Sequence, residues 1–328
     1  MRAPDFWSRT DGAARVAAAA LSPVGWIYGA VTDWKRTHTL PFRARAKVIC
    51  VGNLTAGGSG KTPIVEAIAR ILKARGQNAM ILSRGYGGRL RGAALVNPRM
   101  HSAADVGDEP LLLAASAPVI VARNRRLGAV LADTEGADII VMDDGYQNFT
   151  LEKDLSILVV DAAKGFGNGH ILPAGPLRES VRVGLARADA VVLVGSGTPP
   201  LPGFSGPVLR ARVVPRNGER LAGRKVIAFA GIGRPEKFFD TLRALDVELA
   251  EAREFADHHM FSADEIAQLK AKAKDKSAML VTTEKDFMRL APAEREGIDV
   301  LRIEAEFEAP EMIEIGRASC RERVLMPV

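Results

Sequence analysis

Residues 47–62, KVICVGNLTAGGSGKT, decide the fold. The first five residues are apolar and β-rich, and the stretch then becomes rich in glycine. The residues that follow, IVEAIARILKARG at 64–76, carry apolar side chains at helical spacing and end on a glycine. A strand, a glycine-rich loop and a helix in this order are typical of a loop that binds nucleotide phosphates.

The loop TAGGSGKT places its lysine and hydroxyl residues where phosphate chemistry needs them. Backbone amides and the helix N-terminus cradle phosphates, while Lys61 reaches the β- and γ-phosphates and the Thr62 hydroxyl holds Mg²⁺. The usual pattern has glycine at the first position, where this chain has Thr55, so a fortuitous glycine-rich turn is the alternative. The predicted phosphate-binding residues are Thr55, Ala56, Gly57, Gly58, Ser59, Gly60, Lys61 and Thr62.

Five further apolar runs predict more strands in the first half of the chain. They are NAMILS at 78–83, APVIVA at 117–122, ADIIVMDD at 137–144, DLSILVVD at 154–161 and ADAVVLVG at 188–195. Runs of β-branched residues without polar alternation indicate strands covered on both faces. The pattern predicts an α/β protein with a parallel sheet sandwiched by helices, as in P-loop nucleotide-binding proteins.

Composition shifts divide the rest of the chain. A segment rich in proline, 201–222, predicts a linker that contains a short strand. Beyond it, KVIAFAGI, a helix from Pro235 to about Leu245 and SAMLVTT predict a second, smaller α/β unit. We expect an N-terminal segment at 1–46, a P-loop domain at 47–200, a linker at 201–222, a smaller domain at 223–313 and a tail at 314–328. The tail contains EIGRASCRERV, which resembles a translated sequencing adapter, and it is predicted to be non-native.

The N-terminal segment carries most of the basic excess. Residues 1–47 hold eight Lys and Arg against three Asp, although the whole chain has a net charge of +6. The body between this segment and the tail is close to neutral, which argues against a nucleic-acid partner. Cys50 and Cys320 lie far apart and match no metal-ligand spacing, so a disulfide framework is excluded and a reducing compartment fits.

Residues 16–32 form an uncharged run that also contains Trp26 and Tyr28. As a helix the run would span about 26 Å, short of a hydrocarbon core of roughly 30 Å, and Pro23 is expected to interrupt it. Because tryptophan and basic residues favour the membrane interface, we expect a monotopic anchor. A cleaved signal peptide and a pair of ordinary core helices are the alternatives.

Several acidic and histidine residues are candidates for chemistry. Asp143 and Asp144 end a strand beside the loop, where an Mg²⁺-organising acid belongs, although a plain Asp-Gly turn is the alternative. Asp108 precedes Pro110 and an apolar helix, which is also typical of a helix cap. His258 has the alternative of a solvated loop before a capped helix.

Taken in order, seven motifs resemble one family. They are GNLTAGGSGKTP, SRGYGG, VGDEP, DDGYQN, ILPAGPLRE, FADHH and TTEKD. Over about residues 15–310 the chain resembles the tetraacyldisaccharide 4'-kinases, the lipid A 4'-kinases of Gram-negative bacteria. The resemblance implies two α/β/α domains with the active site in the cleft between them.

The resemblance also implies the reaction and its residues. The γ-phosphoryl group of ATP would pass to the 4'-hydroxyl of an acylated glucosamine disaccharide 1-phosphate, giving the 1,4'-bisphosphate. Asp108 is implied as catalytic base with His258 as its partner and Lys61 on the phosphates, and Asp143 and Asp144 are implied near Mg²⁺. The implied location is the cytoplasmic face of the inner membrane, with membrane lipid as a partner. Arg84 and Arg123 are further candidates for a phosphate contact.

Two other functions stay open on the residues alone. The first is a P-loop kinase or GTPase of another substrate, although the nearest match to a guanine-binding Asn-Lys-x-Asp pattern, residues 283–286, lacks the asparagine. The second is a nucleotide-switched membrane adaptor that uses its N-terminal anchor.

Overall fold

The computed structural model describes residues 4–7, 9 and 11–309. The tail predicted to be non-native, 314–328, lies outside this range together with Cys320. The strands are β1 Lys47–Gly52, β2 Ala79–Ser83, β3 Ala94–Leu95, β4 Val119–Val121, β5 Ile139–Asp143, β6 Leu155–Asp161, β7 Ala190–Val194, β8 Val208–Pro215, β9 Lys225–Ala230, β10 Glu248–Glu254, β11 Met279–Thr283, β12 Ile298–Leu301 and β13 Ile303–Phe307. The α-helices are α1 Gly12–His38, α2 Lys61–Ala74, α3 Ala103–Val106, α4 Asp108–Leu113, α5 Arg125–Thr134, α6 Val181–Leu185, α7 Pro235–Ala244, α8 Ala263–Asp275 and α9 Glu284–Arg289.

The strand before the glycine-rich loop lies near the middle of a nine-stranded sheet, in the order β13-β8-β7-β6-β1-β5-β2-β4-β3. It pairs in parallel with β5 on one side and β6 on the other. Its residues from Val48 to Gly52 are buried, and hydrophobic clusters cover the sheet on both faces. The predicted α/β fold with a parallel sheet is therefore confirmed, and its antiparallel pairs lie at the two ends, β3 with β4 and β13 with β8.

Parallel strands bring their carboxyl ends to one edge of the sheet, and this edge carries the candidate site. The loop of residues 53–60 follows β1, Asp143 ends β5 and Ser83 ends β2. Asp161 ends β6 on the other side of the loop. In a sheet of this kind ligands bind outside the carboxyl ends of the strands, so the topology fixes the place of the site.

A second sheet has four parallel strands in the order β10-β9-β11-β12. Its core contains Phe229, Phe239 and Leu269, contributed by β9, α7 and α8. Residues 201–222, expected to form a linker, contain β8, which joins the nine-stranded sheet. The chain returns to that sheet through β13, which pairs with β8. The limits of the two units stay a prediction, since each predicted unit contributes to the large sheet.

The expectation that Pro23 interrupts the N-terminal run is wrong, and so is the alternative of a helix pair. Residues 12–38 form one continuous helix of 27 residues that contains Pro23. A proline removes one backbone hydrogen bond at a cost of about 3 kcal/mol, which the remaining turns of a helix of this length can outweigh. Gly25 packs against Ile171, because a Cβ there would lie 2.9 Å from the Ile171 carbonyl oxygen. By length and composition alone, the helix could cross a membrane. Only 17% of its most apolar 18-residue stretch is buried inside the protein.

Candidate active site

The glycine-rich loop turns sharply into α2. Gly60 is the N-cap of this helix and has a left-handed backbone (φ 82°), as does Gly57 (φ 102°). A Cβ at Gly60 would lie 3.1 Å from Val194, so both the turn and the close packing favour glycine. Thr55 instead forms an antiparallel bridge with Leu177 and lacks a positive φ, so glycine is not required at the first position of the loop.

The lysine of the loop faces the end of β5. The Lys61 Nζ atom lies 3.4 Å from Oδ1 of Asp144, and Arg178 donates to both carboxylate oxygens of Asp144 at 3.0 and 3.1 Å. Burial raises the pKa of Asp144, but the two cations outweigh burial and hold the pKa at about 2. The carboxylate is therefore ionised at neutral pH, and the two cations already lie together where the polyanion of a nucleotide would bind.

Asp143 lies deeper than its neighbour and has a different environment. Its carboxylate is buried and accepts a hydrogen bond from the Ser83 hydroxyl at 3.3 Å, while Arg125 donates to its backbone carbonyl at 3.2 Å. Burial is the largest cause that raises the pKa of Asp143, and the nearby carboxylates of Glu109 and Asp144 raise it further. Lys61 and Arg125 act in the opposite direction but do not outweigh burial, so the site favours a further cation beside this carboxylate.

The residues expected to hold Mg²⁺ meet at this edge of the sheet. Thr62 is buried in the first turn of α2, directly after the loop, Asp143 ends the adjacent strand β5, and Asp144 follows it. A hydroxyl and carboxylates are oxygen ligands of the kind Mg²⁺ prefers, and Mg²⁺ usually shares its shell between one or two carboxylates and substrate phosphates. Among the described residues no group of three or more His, Cys, Asp or Glu could hold a metal ion by itself. The residues present fit a metal shared with a nucleotide.

Asp108 begins α4 and does not cap it. Gly107 is the N-cap, with φ 92°, so the alternative that Asp108 is a helix cap is wrong. A Cβ at Gly107 would lie 2.4 Å from the carbonyl oxygen of Tyr86, which explains the glycine before the acidic residue. The Asp108 side chain is buried, and its Oδ1 accepts a hydrogen bond from the Glu109 backbone amide at 3.0 Å.

The other carboxylate oxygen of Asp108 faces the second sheet. Arg289 of α9 donates to Oδ2 from Nε at 2.8 Å and also from Nη2. The Nδ1 atom of His258 lies 3.5 Å from the same oxygen. Burial works against ionisation of Asp108, yet the His258 contact and the Arg289 guanidinium outweigh it and keep its pKa well below the usual range. The contact with Asp108 is also the largest cause that raises the pKa of His258.

His258 adopts a left-handed backbone, with φ 58°, as Asp144 does with φ 48°. For residues other than glycine this conformation costs about 1–3 kcal/mol and persists where the surroundings impose it, often at functional sites. The Tyr86 ring lies edge-on to the His258 ring, with 5.6 Å between centroids. The His258 side chain is 43% exposed, so it combines solvent contact with its contact to Asp108, whereas the Nε2 atom of the adjacent, less exposed His259 lies 3.0 Å from Glu265, inside the capping box of α8.

A further residue pair, Glu109 and Lys285, links the two halves of the site. Glu109 contacts Lys285 of α9, and Glu109 also lies near enough to Asp143 to raise its pKa. Burial lowers the pKa of Lys285, but Glu109 outweighs burial and the net shift is upward. The structure thus brings Asp108 and His258 to the same border as the phosphate loop and its acidic residues.

Arg84 and Arg123 lie at the side of this border. Arg123 donates to the Gly88 carbonyl oxygen at 2.9 Å, and both arginines are exposed. Cys50 is buried in β1 with a free thiol.

Sequence reasoning missed Arg178, Arg289 and the role of Lys285 in the site. Arg178 lies in ILPAGPLRE and Lys285 in TTEKD, two motifs that carry the family resemblance, so a signal was present for both. Arg289 follows TTEKD by three residues, one helical turn after Asp286, and nothing in its local sequence marks it. A search for helix neighbours of a motif residue would have found it.

Comparisons with known proteins show the family of the chain. The sequence profile of the family described as Tetraacyldisaccharide-1-P 4'-kinase matches residues 17–319. The tetraacyldisaccharide 4'-kinase of Rhodospirillum rubrum is 48% identical over 318 residues, which cover 94% of this chain and 95% of that protein. The enzyme of the same name from Parvibaculum lavamentivorans is 50% identical over 305 residues, covering 89% of this chain and 88% of that protein.

A solved structure shows the same fold. The crystal structure of the "apo" form of LpxK from Aquifex aeolicus in complex with ATP matches with a TM-score of 0.74 at 28% identity, over 90% of this chain and 96% of that one. Family profile, near full-length relatives and fold point the same way, and they confirm the resemblance carried by the seven motifs. The chain belongs to the tetraacyldisaccharide-1-P 4'-kinase family.

Proposed function

We propose that this chain transfers the γ-phosphoryl group of ATP to the 4'-hydroxyl of a tetraacyldisaccharide 1-phosphate at the border between its two sheets. Membership of the kinase family supports the reaction. The observation that carries the assignment of the site is the pair Asp108 and Glu109. Asp108 contacts His258 and Arg289 of the second unit, and the adjacent Glu109 lies close to Asp143 beside the phosphate loop.

The nucleotide side of the reaction rests on residues 55–62. Backbone amides of the loop and the N-terminus of α2 would receive the phosphates, with Lys61 against the β- and γ-phosphates. The Aquifex relative was solved in complex with ATP, which supports ATP as the phosphoryl donor. Thr62, Asp143 and Asp144 would hold Mg²⁺, which offsets negative charge on the phosphates when it is bound.

The acceptor side rests on Asp108. The 4'-oxygen forms a bond to the γ-phosphorus as the bond from that phosphorus to the bridging oxygen breaks and ADP leaves. A sugar hydroxyl is a weak nucleophile, so its proton passes to a carboxylate during the transfer, and Asp108 is the acceptor. An aspartate of low pKa is a weak base, and His258, whose pKa is raised, can share that proton.

The N-terminal helix supports a membrane location for this reaction. Its side chains Val16, Trp26, Ile27 and Trp34 are between 60% and 72% exposed, although all are apolar or aromatic. Basic residues Lys35 and Arg36 follow in its last turns. An apolar face with aromatic and basic residues suits the interface of an anionic bilayer, so we place the helix in the cytoplasmic leaflet of the inner membrane, near the acylated substrate.

Radiolabel transfer from ATP to a purified acylated disaccharide 1-phosphate in detergent tests the proposed reaction. We expect label in the lipid product with wild-type chain and loss of transfer in Lys61→Ala, with Lys73→Ala at the exposed end of α2 as a matched control. Label transfer to another acceptor, or hydrolysis without transfer to lipid, would instead favour another P-loop kinase or GTPase. Binding of lipid without turnover would favour a nucleotide-switched adaptor.

A further inference from the structure

The ion pair between Asp108 and Arg289 joins two elements that belong to different sheets. Asp108 begins α4, beside the nine-stranded sheet, whereas Arg289 ends α9, which follows β11 of the four-stranded sheet. Their side chains are 6% and 3% exposed, so water screens the pair very little. This buried ion pair lies at the border between the two sheets, where we propose that the reaction takes place. Its position points to a role in the reaction in addition to a role in stability.

Arg289 is itself held from several sides. Its Nη1 donates to the Gly231 carbonyl oxygen at 2.7 Å and to Oδ1 of Asp286 at 2.8 Å. Asp286 in turn accepts from the Gly231 amide at 3.1 Å and from the Thr283 hydroxyl. The planar guanidinium has five N–H donors in a fixed fork. With Nη1 used in this way, Nε and Nη2 both donate to the Asp108 carboxylate, and Nη2 also lies 3.3 Å from Nδ1 of His258.

The two oxygens of Asp108 are used unequally. Oδ2 accepts from Nε and Nη2 of Arg289 and lies 3.5 Å from His258 Nδ1. Among the described residues Oδ1 accepts one hydrogen bond, from the Glu109 amide. A carboxylate oxygen accepts about two hydrogen bonds, so Oδ2 is filled and Oδ1 keeps capacity for one more donor.

We infer that Arg289 is a positioning residue for phosphoryl transfer: it holds Oδ2 of Asp108 so that Oδ1 faces the acceptor hydroxyl. The inference rests on the proposed role of Asp108 as base. The charged groups around the carboxylate are Arg289, Lys285 and Asp286 on α9, Asp257 and His258 in the loop after β10, and the adjacent Glu109. Of these, only Arg289 donates two hydrogen bonds to it.

The test measures kcat and KM for ATP-dependent transfer to the acylated disaccharide 1-phosphate, using the full chain in detergent. We expect Arg289→Met to lower kcat about 100-fold, because a misplacement of roughly 1 Å at a reacting group has an effect of this size. KM for ATP should change less than about threefold, since the phosphate loop is untouched. Arg289→Lys, which keeps the charge and loses the fork, should recover part of the kcat.

The matched control is Arg295→Met. Arg295 donates to the Leu290 and Met288 carbonyl oxygens and stabilises the end of α9, but it does not contact Asp108. A structural role of α9 alone would move both variants together, whereas the positioning role lowers kcat at Arg289 only. The double variant Asp108→Asn/Arg289→Met should turn over about as slowly as Asp108→Asn, because residues that act as a unit are not additive.

Four results would overturn parts of the proposal, and each points to a different part. A kcat in Arg289→Met close to wild type overturns the positioning role alone, as do losses that multiply in the double variant. If Arg289→Met does not fold, judged by circular dichroism and ATP binding, a wild-type kcat in Arg289→Lys overturns the need for the fork. A wild-type kcat in Asp108→Asn overturns the proposed base itself, and the inference falls with it.

Discussion

Two groups of ion pairs connect the layer of the large sheet to that of the small sheet, and they differ in burial. In one, Asp108 contacts Arg289, and the two side chains are 6% and 3% exposed. In the other, Asp161 at the end of β6 accepts from Arg234 at 2.6 Å and Lys237 at 2.9 Å, and these two cations are 26% and 63% exposed. Both groups bridge the same two units at the carboxyl edge of the large sheet.

The difference in burial predicts how much free energy is needed to break each contact. Removing one partner of a buried ion pair leaves an uncompensated buried charge, at a cost of about 3–5 kcal/mol. A pair whose two partners are exposed contributes only about 0–1 kcal/mol, because water and salt replace it easily. The Asp108 pair, buried on both sides, is therefore expected to cost more to break than the pairs of Asp161, whose cations reach solvent.

The largest effect is expected at the buried pair. Asp108→Asn should lower kcat about 1,000-fold, since a positioned base contributes roughly 10²- to 10⁴-fold, while ATP still binds at the intact loop. Turnover in the radiolabel assay and ATP affinity by calorimetry measure the two effects. Asp240→Asn, which removes an exposed partner of Arg243 on α7, is the control. Near-normal turnover in Asp108→Asn would show that the base is a different residue. The two groups of ion pairs would then differ in burial but not in their role in the reaction.

A smaller effect is expected at the pair beside it. Lys285→Met leaves Glu109 without its cation next to the buried Asp143, which disfavours the negative charge at this border. We expect kcat/KM to fall about tenfold, in line with the cost of unpairing a partly buried charge. Lys272→Met, which breaks an exposed pair with Glu251, should leave kcat/KM unchanged. Equal losses of kcat/KM in Lys285→Met and Lys272→Met would show that activity falls whenever the unit of the four-stranded sheet loses a charge.

The pH dependence of the free energy of unfolding gives a second test of the buried Asp108 pair. The folded pKa of Asp108 is lowered, so its contribution to the free energy of unfolding is complete above its ordinary pKa of 3.8 and is lost as pH falls below it. Asp108→Asn should therefore lose less stability than wild type between about pH 4 and pH 2, by roughly 1–3 kcal/mol. Urea unfolding at a series of pH values measures this. Parallel curves for the two proteins would mean that folding leaves the Asp108 pKa unchanged.

The smallest effect is expected at Asp161, whose cation partners are more exposed than Arg289. Asp161→Asn should change kcat less than about threefold, because Arg234 and Lys237 both reach solvent. Salt should weaken these pairs in the wild type, so the difference in turnover between wild type and variant should shrink at high salt. Turnover at low and high sodium chloride gives both numbers. A loss as large as that of Asp108→Asn would break the distinction between the two groups of ion pairs.

Local sequence predicted the parts of the site that depend on neighbours along the chain. Gly60, Lys61 and Thr62 lie where the loop pattern places them, because a strand, a tight turn and a helix start are set by residues within one short segment. The five further strands were predicted as well, since continuous β-branched runs have few other solutions. Pro23 shows the limit of local rules, because a long helix tolerates a proline that a short one would not.

Sequence patterns alone were enough to predict the α/β fold, the turn from β1 through a glycine-rich loop into α2, the acidic end of β5 and, through the ordered motifs, the family. Only the tertiary structure decided what faces Asp108. Arg289 lies 181 residues further along the chain. Its local sequence is the same as that of a solvent-exposed helix arginine, and only the packing of the two sheets buries it. A buried charge needs a partner, and the identity of that partner depends on how two sheets dock, which no local pattern encodes.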